Sequence, residues 1–259
     1  NSIGDFYYEP PTDYLALCSS NLASPEIALP AAHFNTVLYA GNAGSNHAIT
    51  GAGFQSDLTW IKVRGTTDNH FLTDSVRSNR YGLSSNIADA ANSKGADVFD
   101  SFDSDGFTVN HDPTYDLVNR TSQNYVAWNW KAGGAAASNT DGTITSSVSA
   151  NPTAGFSIVK YAGNNTSGAT VGHGLSETPE LIIIKNTEAY ADWVVYSEPV
   201  GPTKGLQLNG TGDAYDYLAY FNDTSPSSSV FSLGDSTSVN ADTEDMIAYC
   251  FHSVEGYSK

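Results

Sequence analysis

The chain has two cysteines, one methionine and only 11 lysines and arginines among 259 residues, and each scarcity narrows the reading. Cys18 and Cys250 stand far apart and outside any CxxC pair, so they cannot form the dense disulfide framework of a small secreted domain. A single bridge between them stays open. Eleven basic residues against 28 acidic ones give a formal charge of −17. That argues against a nucleic-acid partner, because phosphate binding needs clustered Lys and Arg. An anionic membrane surface is disfavoured for the same reason. No apolar run reaches the roughly eighteen residues of a spanning helix, so no membrane insertion is expected, and no signal peptide is visible. Met246 is the only methionine. Asn1 is therefore read as following a processed or longer beginning.

What is plentiful is Tyr, Phe, Gly, Ser and Thr, with a charged fraction of 15%. That balance suits a β-rich protein, since helical faces usually carry more Glu, Lys, Leu and Arg. No heptad or 3.6-residue stripe appears. The acidic surplus suits a saline habitat, where self-repulsion is screened.

Residues 1–33 form a lead-in holding Pro10, Pro11, Pro25 and Pro30. These rule out a regular central strand or helix and predict an extended strap, with Phe6, Tyr7 and Tyr14 as packing anchors. From Phe34 the chain falls into about seven strand-like pieces separated by turn residues, near the count of one β-sandwich.

The second half repeats this order. FNTVLYAGN from Phe34 answers to FSIVKYAGN from Phe156, an offset of 122. ITGAGF pairs with VGHGLS, DLTWIK with ELIIIK, YGLSSN with KGLQLN, SDGFTV with SSVFSL, and YVAWNWK with MIAYCFH. Six motifs in unchanged order point to an internal duplication. Period-two alternation puts Val126, Trp128 and Trp130 on one face of the closing strand, and Ile247, Tyr249 and Phe251 on the equivalent face of its counterpart. The large rings are expected to face the core of their own sandwich. Between the halves, Asp141-Gly142 marks a turn, and Ile144 and Val148 share a face. The connector is thus expected to be ordered and partly strand.

Chemistry is sparse. DVFDSFDSDGF places Asp97, Asp100, Asp103 and Asp105 close together, a pattern that can converge on calcium. An EF-hand loop in that register needs an acid where Ser101 stands, and Asp-Gly is first a turn. Glycoside hydrolysis needs two carboxyls at a set separation, which leaves Asp103 and Asp105 as an alternative pair. His33, His47, His70, His111, His173 and His252 are scattered singly, with no zinc spacing. His70 lies near Asp68, Asp74 and Ser75, but a triad assembles only in the fold. Walker, Rossmann and GxSxG patterns are absent. Asn119, Asn165, Asn209 and Asn222 head NxS/T sequons, meaningful only in a eukaryotic secretory setting. No catalytic, cofactor-binding or metal residue is assigned, no cofactor is expected, and the chain is read as not an enzyme.

The run SNTDGTITSSVSANPTAGFSIVKYAG, continued by TVGHGLSETPELIIIKN, resembles tail-fibre and other virion-surface proteins of marine bacteriophages, cyanophages among them. FYYEPPTDYLALCSSNL, GAGFQSDLTWIKVR, SFDSDGFTV, YVAWNWKAGG, VFSLG and IAYCFHSVEGYSK are similar to the same family, so the resemblance covers nearly the whole chain. It implies a virion location, SPRY-like β-sandwich repeats, other virion tail proteins as partners, and a homo-oligomer, guessed as a trimer. It also implies host attachment through a bacterial cell-surface glycan or protein. A virion-associated depolymerase and a purely architectural spacer are the alternatives. The stretch IADAANSKGADVFD varies within the family, so the 87–100 loop is expected to carry receptor contacts.

The sequence therefore predicts an all-β chain of two tandem antiparallel β-sandwich domains, jelly-roll or SPRY-like. A strap (1–33), repeat 1 (34–134), an ordered connector (135–153) and repeat 2 (154–259) follow in order.

Overall fold

The computed structural model describes Tyr8, Pro11 and residues 25–77, 81–115 and 117–259. Most of the expected strap, with Phe6, Tyr7, Tyr14 and Cys18, lies outside the described residues. The rest is all-β. The first half contains β1 (Phe34–Ala40), β2 (His47–Thr50), β3 (Leu58–Val63), β4 (Phe71–Asp74), β5 (Phe99–Asp103), β6 (Gly106–Val109) and β7 (Asn124–Trp130). The connector supplies β8 (Ala137–Asn139) and β9 (Ser146–Asn151). The second half adds β10 (Phe156–Ala162), β11 (Ala169–Gly172), β12 (Leu181–Asn186), β13 (Val194–Ser197), β14 (Lys204–Gln207), β15 (Tyr215–Asp216), β16 (Val230–Leu233) and β17 (Asp245–Phe251). Three one-turn helices, α1 (Gly95–Val98), α2 (Leu218–Phe221) and α3 (Thr237–Asn240), sit in the connections.

The strands form antiparallel sheets of order β1-β7-β3-β4, β2-β6-β5, β15-β14-β13-β12-β17-β10-β9-β8 and β11-β16. Tight turns join them where the residues allow. Gly106 has φ 136°, and a Cβ there would lie 2.1 Å from the Ile49 carbonyl, so the β5–β6 turn accepts only glycine.

Three apolar cores separate these sheets. Ile61, Phe71, Phe99, Phe107, Tyr125 and Ala127 fill the space between the two first-half sheets. Ile184, Val194, Phe231, Met246 and Ala248 fill the space between the eight-stranded sheet and β11-β16. The third core, with Leu58, Leu72, Phe156, Ile158, Ile247 and Tyr249, lies between the two large sheets. The halves are thus packed sheet on sheet (four layers and three cores), rather than joined only end to end. A sheet with apolar contacts on both faces reads as a continuous apolar run, as LIII in β12 does.

This layering corrects the expected direction of the closing strand. Val126, Trp128 and Trp130 do share a face, but Tyr125 and Ala127 on the opposite face enter the first-half core. Trp130 and Trp60 pack in the core between the halves, and Trp128 is half-buried 6.2 Å from Trp60. In β17, likewise, Met246, Ala248 and Cys250 face the second-half core while Ile247, Tyr249 and Phe251 face the first half.

Matched positions make matched bonds. Tyr39 Oη donates to the Val118 carbonyl at 2.8 Å, and Tyr161 Oη to that of Val239 at 2.7 Å. The Asn119 side chain accepts from Asn42 N at 3.0 Å, and that of Asn240 from Asn164 N at 2.9 Å. Lys62 Nζ donates to the carbonyls of Val63 and Thr66, and Lys185 Nζ to those of Asn186 and Ala189.

The connector is built into the structure. β9 pairs with β10 and β8 with β9, while Ile144 and Val148 enter the second-half core. Asp57, buried in the first half, accepts from Ala132 N at 2.7 Å and Gly134 N at 3.3 Å. Ser149 Oγ accepts from Gly133 N and donates to the Gly134 carbonyl. Both ends of the connector are therefore fixed to a sheet.

Candidate functional site

Four rings line up where the halves meet. Phe34 opens β1 and lies in register with Trp130, which closes β7, with ring centroids 4.8 Å apart. Phe156 opens β10 and lies in register with Phe251, which closes β17, at 4.9 Å. Trp130 and Phe156 meet across the junction at 6.3 Å. Because each pair occupies the start of a first strand and the end of a last strand, the strand registers themselves bring the rings together.

These rings wall a cleft of 590 Å³ at the edge of the core between the halves. Such a volume suits a small-molecule or sugar ligand. Glu180, just before β12, and Glu198, just after β13, are also among its lining residues. They are cross-strand neighbours, with Glu198 N donating to the Glu180 carbonyl at 2.8 Å, and both residues are exposed. The Ser253 hydroxyl donates to Glu180 Oε2 and holds that carboxylate in place.

His33 and His252 complete the polar rim, and Lys259 also borders the space. The Asn151 amide donates to His33 Nδ1 at 3.0 Å, which leaves the proton on Nε2. Burial, and then the charge of Lys131, hold the His33 pKa below its ordinary value, so the ring is neutral at neutral pH. The cleft thus offers flat apolar faces, two glutamates and two imidazoles. That set has the chemistry to stack on a ring-shaped polar molecule and accept hydrogen bonds from it.

The residues singled out in the sequence lie elsewhere. Asp103 accepts from the hydroxyls of Ser101 and Thr108, each at 2.7 Å. Asp105 accepts from the backbone N–H groups of Gly51 and Gly53. Both carboxylates fasten the β5–β6 turn. Asp97 pairs with Lys94 at 2.9 Å on the surface. No cluster of three or more His, Cys, Asp or Glu suited to a metal occurs among the described residues.

His70, Asp68 and Ser75 belong to three separate networks. His70 Nδ1 accepts from Trp60 Nε1 at 2.8 Å, Asp68 pairs with Arg120, and Ser75 Oγ donates to Asp57. His173 is fully buried between Leu175 N and the Ser227 carbonyl. His47 meets Asn119 Oδ1 at 2.9 Å. Asn119 is itself fully buried, so its sequon offers no acceptor on the folded surface.

The 87–100 loop, expected to be exposed, is tied to the second half through Ala88 and Ala91. Ala88 is buried, and its carbonyl accepts from Lys185 Nζ at 3.2 Å and from Ala191 N at 2.9 Å. Ala91 N donates to the Thr187 carbonyl at 2.8 Å. These bonds join the loop to the second half, while Asp89, Asn92, Ser93, Lys94, Asp97 and Asp100 are exposed. The four cleft rings and the two glutamates were not singled out in the sequence as a site. The signal that points to them is the repeat, in which Phe34 answers to Phe156 at an offset of 122 and Trp130 to Phe251 at 121.

Antiparallel sheets packed face to face define an all-β chain. The chain belongs to the DUF7483 family, a domain of unknown function, whose model matches residues 29–259. No curated protein and no solved structure matches it.

Proposed function

We propose that this chain is a structural and host-attachment segment of a phage tail fibre or spike, and that it holds a bacterial cell-surface glycan in the junction cleft. The virion assignment comes from the resemblance of nearly the whole sequence to marine phage surface proteins. The observation that carries the binding role is the wall of four rings, Phe34, Trp130, Phe156 and Phe251, in a cleft that Glu180 and Glu198 also line. Aromatic faces stack on the C–H faces of sugars while carboxylates accept from their hydroxyls.

The matched bonds of Tyr39 with Tyr161 and of Asn119 with Asn240 support two copies of one SPRY-like sandwich unit, at 34–134 and 154–259. In a trimeric appendage several weak sites would act together, and avidity would supply attachment strength. The test uses labelled chain on susceptible and resistant cells, together with immunogold micrographs of virions. Adherence to susceptible cells alone and label on an appendage agree with the reading. A chain that never adheres and never decorates a virion contradicts it.

A further inference from the structure

We infer that the junction cleft prefers a sugar bearing a free amine, a hexosamine ring, over neutral and carboxylated sugars. This rests on the glycan-binding reading and specifies its ligand class.

Glu180 and Glu198 face each other across adjacent strands, with Cβ atoms at the roughly 5 Å of a cross-strand pair. Both are exposed, and the Ser253 hydroxyl fixes Glu180 without neutralising it. An ammonium placed between them gains charge-assisted hydrogen bonds, which are shorter and stronger than neutral ones. The rings of Phe34, Trp130, Phe156 and Phe251 take the apolar face of the same sugar, and an indole face also attracts a cation.

Nothing equivalent awaits an anion. Among the described residues no arginine borders the cleft, Lys259 is the one lining ammonium, and His33 is held neutral. The chain as a whole carries −17, so a uronic acid approaches against the field. The matched position of Glu180 in the first half is Asp57, whose carboxylate is buried and satisfied by Ala132 N, Gly134 N and Ser75 Oγ. The first half uses its acid to hold the connector. The second half leaves its acid on the cleft, open to a ligand.

The experiment is calorimetric titration of the full chain with three trisaccharides, of glucosamine, N-acetylglucosamine and galacturonic acid. The expected result is binding of the glucosamine trimer at least about tenfold tighter than the N-acetyl trimer, with an advantage that shrinks as salt rises. Galacturonate should bind most weakly. The Glu180→Gln/Glu198→Gln double variant, altered only at exposed side chains, should lose the advantage while keeping its thermal midpoint. The inference is overturned if galacturonate matches glucosamine, if the double variant keeps the preference, or if none of the three binds. Cell adherence is scored in parallel. Adherence without amine preference removes this inference and leaves the host-attachment reading standing. Amine preference without adherence does the reverse.

Discussion

Tyr249 Oη donates a 2.8 Å hydrogen bond to Asp74 Oδ2, and the two residues belong to opposite halves of the chain. Asp74 is fully buried and also accepts from Arg77 Nε at 2.7 Å and from the backbone N–H groups of Val76 and Arg77. Burial pulls the Arg77 pKa down, but Asp74 and Tyr249 outweigh it and hold the guanidinium above its ordinary value. Burial pushes the Tyr249 phenol well above its own, so it stays a donor. An ion pair and a phenol bond thus lock one large sheet onto the other.

Replacing Tyr249 with Phe leaves this carboxylate one donor short inside the protein. A loss of about 1–3 kcal/mol in urea unfolding is expected. Asp74→Ala strands the Arg77 charge and should cost more, roughly 3–5 kcal/mol. An unchanged Tyr249→Phe midpoint would mean that water reaches the lock.

Lys185 gives a pH dependence of definite sign. Its residue is fully buried and its ammonium meets three carbonyls, one of them that of Ala88 in the other half. Burial pushes its pKa down to about 8 from the ordinary 10.5, against the opposing pull of Asp192 and Asp89. The folded chain therefore releases this proton near pH 8 and the unfolded chain only near 10.5. Between those values the unfolded state holds more protons, so this lysine makes stability rise with pH. The stability difference between wild type and Lys185→Met should grow over that window. A flat difference would contradict a desolvated ammonium.

The matched phenols test the equivalence of the halves. Tyr39→Phe and Tyr161→Phe each remove one bond to a backbone carbonyl, worth about 1 kcal/mol. Comparable losses in the two variants fit two copies of one unit. A cost confined to one of them does not.

Cys250 is a buried free thiol. Burial pushes its pKa up to about 12, although the Ser157 contact pulls the other way. Only the thiolate is nucleophilic, so iodoacetamide at pH 8 should leave Cys250 unlabelled in the folded chain and label it in urea. Peptide mass spectrometry reads both states. Rapid labelling of the native chain would show that this strand face opens.

The sequence carried much of this architecture. The offset of 122 between Phe34 and Phe156 marks the strands whose sheets share the order first, last, third, fourth. Period-two alternation correctly groups Trp128 with Trp130, yet it cannot say which way a face points when a sheet is covered on both sides. Only the alternate residues Tyr125 and Ala127 hinted that β7 has a second apolar face. The cleft was harder to read, since its rings come from four strand ends and its glutamates from a fifth and sixth. Local spacing carries no record of such a meeting. The acids that stood out, Asp103 and Asp105, were conspicuous for the turn they tie.

The most direct test measures binding of purified host surface polysaccharide by wild-type chain and by Trp130→Ala, with the thermal midpoint of each recorded. Because Trp130 also packs between the halves, Glu180→Gln/Glu198→Gln serves as a second variant with an intact core. The account predicts saturable binding that falls by about tenfold or more in both variants. Wild-type affinity retained in both, or no binding by the wild-type chain, would contradict it.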